Sequence, residues 1–366
     1  MKAKSTVQGL PVYQPGKPLE EVKREFGLTE VIKLASNENP FGCSERVWQS
    51  LLEERENLAL YPEGQAPELR AQLANHLGIE EGRFVFGNGS DEIIQMIARA
   101  YLEPGTESVM AKITFPRYDT QVRIEGSRPV TVPLVDGTHD LEAMAAAVNE
   151  KTRIVWLCNP NNPTGTYFSE AALRQFLDRI PPQVLVVVDE AYYEYVVAED
   201  YPDTLAFAQS DPRLLVLRTF SKIYGLASFR IGYAIADPAI VMELERVREP
   251  FNANRLAQRA ALAALGDQGF VQLCKQANRQ CMQQIESQLE QWGLSWFPSQ
   301  ANFIMLDTGR SSDEVFQGLL QRGIIVRAGS ALGYPTTIRV TVGRPEQNRL
   351  FLEGLAACLD KPSSIV

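Results

Sequence analysis

Between residues 84 and 236 short apolar segments alternate with amphipathic ones, and this alternation restricts the fold more than any other feature of the chain. Phe84–Phe86, Ser108–Ile113, Val130–Pro133, Ile154–Cys158, Val184–Val188, Leu214–Leu217 and Tyr233–Ala236 read as strands. Asp91–Tyr101, Leu141–Val148 and Ser169–Arg179 read as helices between them. Strands that alternate with helices predict an α/β fold: a mainly parallel, seven-stranded sheet sandwiched by helices. Val184–Val188 carries no polar residue, as a central strand covered on both faces requires.

The 366 residues suffice for two domains. Residues 1–44 read as an extended arm that contributes to a small domain. Residues 45–255 form the large domain. Residues 256–366 form a smaller α+β domain. In it a long helical region, Leu256 to Trp292, precedes the strands Ser295–Phe297, Phe303–Leu306, Ile324–Arg327 and Ile338–Val342.

Bulk properties narrow the function. A net charge of -9 argues against a nucleic-acid surface, which needs a basic face. No apolar run reaches the length of a membrane span, and the N-terminus lacks the apolar core of a secretory signal. The five cysteines are odd in number and form no CxxC, so they read as free thiols of a cytoplasmic protein. Only two histidines occur, His76 and His139, and both read as surface residues. A metal site is therefore not expected. The chemistry falls to Lys, Asp, Tyr and Arg.

Ligands of open parallel sheets bind beyond the carboxyl ends of the strands, so the residues that follow each strand matter most. Phe84–Phe86 is followed by Gly87-Asn88-Gly89-Ser90-Asp91-Glu92, where glycines before a helix start can offer backbone N–H groups to a phosphate. Glu92 stands where a dinucleotide fingerprint needs its third glycine, which disfavours a nicotinamide dehydrogenase. Ser108–Ile113 is followed by Phe115, a side chain able to stack on a flat ring. The rigid turn Asn159-Pro160-Asn161-Asn162-Pro163-Thr164-Gly165 presents Asn162 as a donor to a ligand oxygen. Asp189 ends the all-apolar strand and needs a cationic partner, such as a protonated pyridine nitrogen. Tyr192, three residues on, can donate to an oxygen of the same ring. Thr219, Ser221 and Arg230 flank Lys222, an amine able to form a Schiff base beside a phosphate-binding group.

Each segment alone has a plainer explanation. Gly-Ser-Asp caps helices, Phe115 packs in a core, Asp189 pairs with a nearby arginine, Lys222 is solvated and Arg230 makes a surface ion pair. Packing does not explain why they occur together at successive strand ends. Together they are the parts that bind pyridoxal 5′-phosphate and use it as an electron sink.

With these motifs in place, the chain resembles the fold-type I pyridoxal-phosphate aminotransferases, and within them the histidinol-phosphate aminotransferase family. The resemblance runs from about Tyr13 to Leu359. It rests on SNENPFG (Ser36–Gly42), YPEG (Tyr61–Gly64), GNGSDE, NPNNPTG, DEAYYEY, RTFSKIYGLASFRIGY and the closing VRAG and IRVTVG. Ser228-Phe229 and Ile113 depart from the residues common there, Gly-Leu and proline.

The resemblance implies that Lys222 carries the cofactor, that Asp189 pairs with its ring nitrogen, and that Asn162 and Tyr192 bond its ring oxygen while Phe115 stacks on it. The phosphate would be held at Ser90 and Asp91, by Thr219 and Ser221, and by Arg230. Tyr61 would reach the phosphate of a neighbouring subunit, which makes the protein a homodimer. Arg339 and Arg327 would hold the anionic end of the substrate, and Tyr13 and Asn39 would close over it. The implied reaction converts histidinol phosphate and 2-oxoglutarate into imidazole acetol phosphate and glutamate, in histidine biosynthesis. An aromatic amino-acid aminotransferase and a lyase resembling threonine-phosphate decarboxylase remain as rivals. A ligand-sensing module is disfavoured, because only a short arm precedes the motifs.

Overall fold

The structure is a computed structural model that describes residues 1–10, 12 and 17–362. The seven expected strands form one sheet. From edge to edge their order is Phe84–Gly87, Gly232–Ile235, Leu214–Thr219, Leu185–Asp189, Thr152–Cys158, Glu107–Ala111 and Arg128–Val132. Gly232–Ile235 runs antiparallel to both its neighbours. The other pairs are parallel.

Burial on both faces explains the apolar runs. Side chains alternate across a strand, so Leu185 and Val187 pack into the core beneath the helix Ser90–Tyr101, while Val186 and Val188 pack into a second core with the helix Glu170–Arg179. Two glycines let the first of these helices approach the sheet. A Cβ on Gly87 would lie 2.6 Å from Ile93 Cγ1, and one on Gly232 would lie 2.6 Å from Ser90 N. No side chain larger than hydrogen fits at either place.

A second, antiparallel sheet has the order Ser295–Phe297, Phe303–Asp307, Thr337–Thr341, Arg327–Ala328. Its core is filled from the helices Gln268–Gln291, Ser312–Leu320 and Pro345–Leu359. Among the described residues no helix is long and apolar enough to cross a membrane.

Three local expectations are corrected. The helical region from Leu256 to Trp292 is two helices, Arg255–Leu265 and Gln268–Gln291, because the Asp267 side chain accepts the Phe270 N–H and caps the second. The strand Ile324–Arg327 is divided. Ile324–Ile325 pairs in parallel with Ile32–Lys33, whereas Arg327–Ala328 pairs with Thr337–Thr341. The chain near residue 33 is thereby joined to the smaller sheet's side of the molecule. His139 is buried rather than exposed, at 5% accessibility. It sits in a two-residue strand, Thr138–His139, paired with Leu134–Val135 through a turn in which Asp136 and Gly137 both have positive φ. Its Nε2 lies 3.2 Å from Asn161 Oδ1, and burial pushes its pKa down to about 4, so the ring is neutral. His76 is exposed, as expected.

The turn after Lys222 shows how the arm and the sheet are held together. Gly225 has φ +71° and donates to Lys222 O at 2.9 Å. A Cβ at this position would fall on the carbonyl of Gly42. We expect Gly225→Ala to lower stability by about 2–4 kcal/mol, from left-handed strain plus a clash with main chain. The midpoint of urea unfolding measures this, and an unchanged midpoint would refute it.

Candidate active site

The carboxyl ends of five strands open on one cavity of about 230 Å³. The segments expected from the sequence converge there. Ser90 and Asp91 enter from the first strand, Phe115 from the loop after Glu107–Ala111, and Asn162 from the turn after Cys158. Asp189 and Tyr192 follow the central strand, and Thr219, Ser221, Lys222 and Arg230 come from the next segment. Arg327 and Arg339 reach in from the smaller sheet.

At one end the site is built for an anion. Gly89 precedes the helix Ser90–Tyr101 and has no side chain to cap it, so the first-turn N–H groups point into the cavity end with the positive end of the helix dipole. Arg230 holds the left-handed conformation, φ +58°, which is uncommon for a residue with a Cβ. Its Nη1 donates to Ser221 Oγ at 3.3 Å and to Ala227 O at 3.2 Å, and its Nη2 lies 3.5 Å from Asp91 Oδ2. A Cβ on Gly89 would fall on that guanidinium. Thr219 Oγ1 accepts the Ser221 N–H at 3.0 Å and so fixes the loop before Lys222.

At the centre Asp189 is 3% exposed. Tyr118 donates to its Oδ2 at 2.7 Å and the Ala191 N–H to its Oδ1 at 3.1 Å. Burial raises its pKa to about 6, against the pull of these two bonds. The expected alternative, an ion pair with a local arginine, exists one residue further on. Glu190, fully buried, takes Arg218 Nε and Nη2 at 2.9 and 2.7 Å. Tyr201 and the Thr204 hydroxyl complete its shell. Asp189 is left with hydrogen bonds and no cation among the described residues.

Lys222 Nζ lies 3.4 Å from Ser36 O and 5.6 Å from the centre of the Tyr192 ring. Burial lowers its pKa to about 8, and the charges of Arg339 and Arg230 push the same way. Tyr192 Oη accepts amide N–H groups from Asn37 at 2.9 Å and from Asn162 at 3.5 Å. With both acceptor positions taken by amides, its own hydrogen remains for donation.

Arg327 and Arg339 are direct cross-strand partners. Side chains of direct cross-strand partners leave the same face of a sheet, and both line the cavity. Arg339 Nη1 donates to Asn162 Oδ1 at 2.6 Å and Nη2 to Ala35 O at 2.8 Å, which hold it in place.

Asn39 is not in the cavity wall; its amide nitrogen donates to Ile223 O at 2.7 Å and its oxygen accepts the Phe41 N–H at 3.0 Å. Its neighbour Asn37 takes the place in the wall. Tyr61 is 79% exposed and stacks on Phe251 outside the cavity of its own chain. Tyr13 lies outside the described residues. Tyr118 and Asn37 went unread in the sequence, although Asn37 stands inside the quoted SNENPFG motif and Tyr118 follows Phe115 at helical spacing.

These donors fit a phosphorylated pyridine aldehyde: a glycine-lined helix start with an arginine, a buried carboxylate without a cation, and an amine kept partly neutral. Replacing Arg339 with glutamine removes a positive charge near Lys222 and should raise the lysine pKa above about 8. The pH dependence of Lys222 acylation in ligand-free protein, followed by peptide mass, reports this. A midpoint that stays or falls contradicts the electrostatic argument.

Comparison with known proteins agrees with this geometry. Residues 29–355 match the family described as aminotransferase class I and II. A histidinol-phosphate aminotransferase of Geobacillus sp. (strain WCH70) is 53% identical over 365 residues, 100% of each chain. That of Bacillus subtilis (strain 168) is 52% identical over 360 residues, 98% of this chain and 100% of the other. The crystal structure of a histidinol-phosphate aminotransferase from Sinorhizobium meliloti, in complex with pyridoxal-5′-phosphate, superposes with a TM-score of 0.89 at 28% identity and covers 98% of both chains. The chain belongs to the class I and II aminotransferases and, within them, to the histidinol-phosphate aminotransferase family.

Proposed function

We propose that the chain binds pyridoxal 5′-phosphate at Lys222 and transfers the amino group of histidinol phosphate to 2-oxoglutarate, giving imidazole acetol phosphate and glutamate in histidine biosynthesis. One observation carries the reading: the Lys222 amine, the Asp189 carboxylate and the Arg327–Arg339 pair open on a single cavity. The names of the relatives support the choice of substrate.

When bound, the cofactor condenses with amines and draws electrons from the carbon that bears the amino group. The protein supplies the rest. The backbone N–H groups of Ser90 and Asp91, the hydroxyls of Thr219 and Ser221 and the Arg230 guanidinium would hold the phosphate. Phe115 covers one face of the ring. Asp189 keeps the ring nitrogen protonated by Coulomb attraction in a site shielded from water. Tyr192 and Asn162 address the ring oxygen. Lys222 Nζ, with a pKa of about 8, has a neutral fraction at neutral pH that can take and return a proton at the substrate carbon. Arg327 and Arg339 accept the phosphate of one substrate and the carboxylate of the other, because a guanidinium binds either in bidentate fashion.

The same reading includes a large cofactor-holding unit over residues 45–255 and a small unit over 256–366, with the arm to residue 44 joined to the latter; the pairing of Ile32–Lys33 with Ile324–Ile325 supports the place of the arm, while the helix Arg255–Leu265 packs into the core of the large unit. It includes a homodimer. Trp48, Leu52, Leu58, Leu60 and Tyr61 are large apolar side chains more than half exposed, close together in sequence, and so many exposed apolar side chains in one segment favour an interface there. It also includes a cytoplasmic location, which the five free cysteines support.

Protein loaded with pyridoxal 5′-phosphate should show a visible band, and borohydride should leave a covalent adduct on Lys222. Lys222→Ala should lose the adduct and lower kcat by at least about a thousandfold. A coupled assay with histidinol phosphate and 2-oxoglutarate should show turnover; preference for phenylalanine, or release of carbon dioxide, would instead favour one of the two rival enzymes. Leu52→Asp should convert the dimer to single chains in sedimentation, and a wild type that already sediments as single chains would contradict the dimer.

A further inference from the structure

Tyr118 has no role in the reading above, yet it is bonded to the centre of the site. It is fully buried. Its ring lies flat against Trp156, with centroids 5.0 Å apart and planes 10° from parallel. It meets the ring of Phe115 edge-on, at 5.7 Å and 78°. Its hydroxyl donates to Asp189 Oδ2 at 2.7 Å. It does not line the cavity, so any effect on a ligand passes through Asp189 and Phe115.

The arrangement follows from the chain. The helix Arg117–Ile124 begins two residues after Phe115, so Phe115 and Tyr118 are three positions apart and meet. Trp156 sits in the strand beside Leu185–Asp189, in register with Val187. The stack on Trp156 fixes the Tyr118 ring plane, and the ring plane fixes where the hydroxyl points. A carboxylate at a strand end can otherwise turn about its last bond. Tyr118 on one oxygen and the Ala191 N–H on the other remove that freedom.

We propose that Tyr118 is a positioning residue that sets the Asp189 carboxylate and the Phe115 ring as one unit, so that the nitrogen and the face of a bound heterocycle are met in a fixed relation. This rests on the assignment of Asp189 to the ring nitrogen of pyridoxal 5′-phosphate.

Electrostatics give the arrangement a second consequence. Burial pushes the Asp189 carboxyl up to about 6, and the Tyr118 hydrogen bond is the foremost influence that opposes it. Asp91 and Glu190 face it with like charge, and Glu190 is itself paired with Arg218. Cys158 on the next strand stays a thiol, its pKa pushed up to about 12 by burial. Burial, with Asp189 next, pushes the Tyr118 phenol far above its usual range, so it remains a donor at every working pH. A donor to the ionised form stabilises that form. Removing the hydroxyl therefore raises the Asp189 pKa and leaves less carboxylate at neutral pH to pair with a ring nitrogen.

The test measures pyridoxal 5′-phosphate binding by equilibrium dialysis across pH for wild type, Tyr118→Phe, Asp189→Asn and the double variant. Tyr118→Phe should weaken binding near pH 7 about tenfold, the scale of one hydrogen bond to a charged group. The acid limb of its affinity profile should move to higher pH than in wild type; the cofactor phosphate is common to both, so only the difference counts. In the Asp189→Asn background the same change should add little, since groups that act through one another are not additive. A separate readout needs no cofactor. In ligand-free protein labelled with ¹³C-aspartate, the carboxyl signal missing from Asp189→Asn should titrate at higher pH in Tyr118→Phe. Wild-type affinity and wild-type titration in Tyr118→Phe would overturn the inference, as would a full additional loss in the double variant. If wild type takes up no cofactor while the ¹³C titration still shifts, the cofactor assignment fails and the Tyr118–Asp189 coupling stands. Should Tyr118→Phe not fold, 3-fluorotyrosine at position 118 keeps the shape with a more acidic phenol. The acid limb should then move to lower pH, and an unmoved limb refutes the proposal.

Discussion

A carboxylate buried at the end of an all-apolar strand is the constraint to which the rest of the site answers. Asp189 cannot be taken out of water without compensation, and the structure supplies two hydrogen bonds and stops there. Its neighbour shows the other solution. Glu190 points to the opposite face of the sheet and has an arginine, a tyrosine and a threonine of its own. Two adjacent acids at the end of one strand are thus treated oppositely, one paired with an arginine and one left with hydrogen bonds alone.

Charge is distributed with the same economy around Lys222. Burial first, and then the charges of Arg339 and Arg230, leave the amine's proton loosely held. Each guanidinium also faces its own anion position, Arg230 at the helix start and Arg339 beside Arg327 on the smaller sheet. The same two guanidinium groups that line the cavity therefore also act on the amine through space.

Much of this was legible in the chain, and the reason is periodicity. Strands covered on both faces must be continuously apolar, so the seven strands and their ends could be read, and with them Lys222, Asp189, Asn162, Tyr192 and Arg230. What periodicity does not carry was missed. Asn37 and Asn39 have the same side chain two positions apart; only the left-handed backbone at Asn37 decides which one faces the cavity. His139 looked like a loop residue because a two-residue strand leaves no pattern. The helix break at Gly266-Asp267 has a signal in the sequence, a glycine followed by a capping aspartate, that the long apolar and polar alternation around it hid. Tyr118 is an ordinary core aromatic until its hydroxyl is seen against Asp189.

The thread from Ala35 to Asn37 lies between the two sheets, and the contacts it makes with the site's cations come from its backbone oxygens: Ala35 O to Arg339 and Ser36 O to Lys222. Main-chain oxygens are present whatever residue is encoded. Mutation at positions 35 and 36 can alter size or polarity but cannot delete either acceptor. The ties a substitution can remove are those of the Asn37 side chain, whose amide donates to Tyr192 Oη and accepts from Thr341 Oγ1. Heritable change can therefore reach these two acceptors only by rerouting the chain.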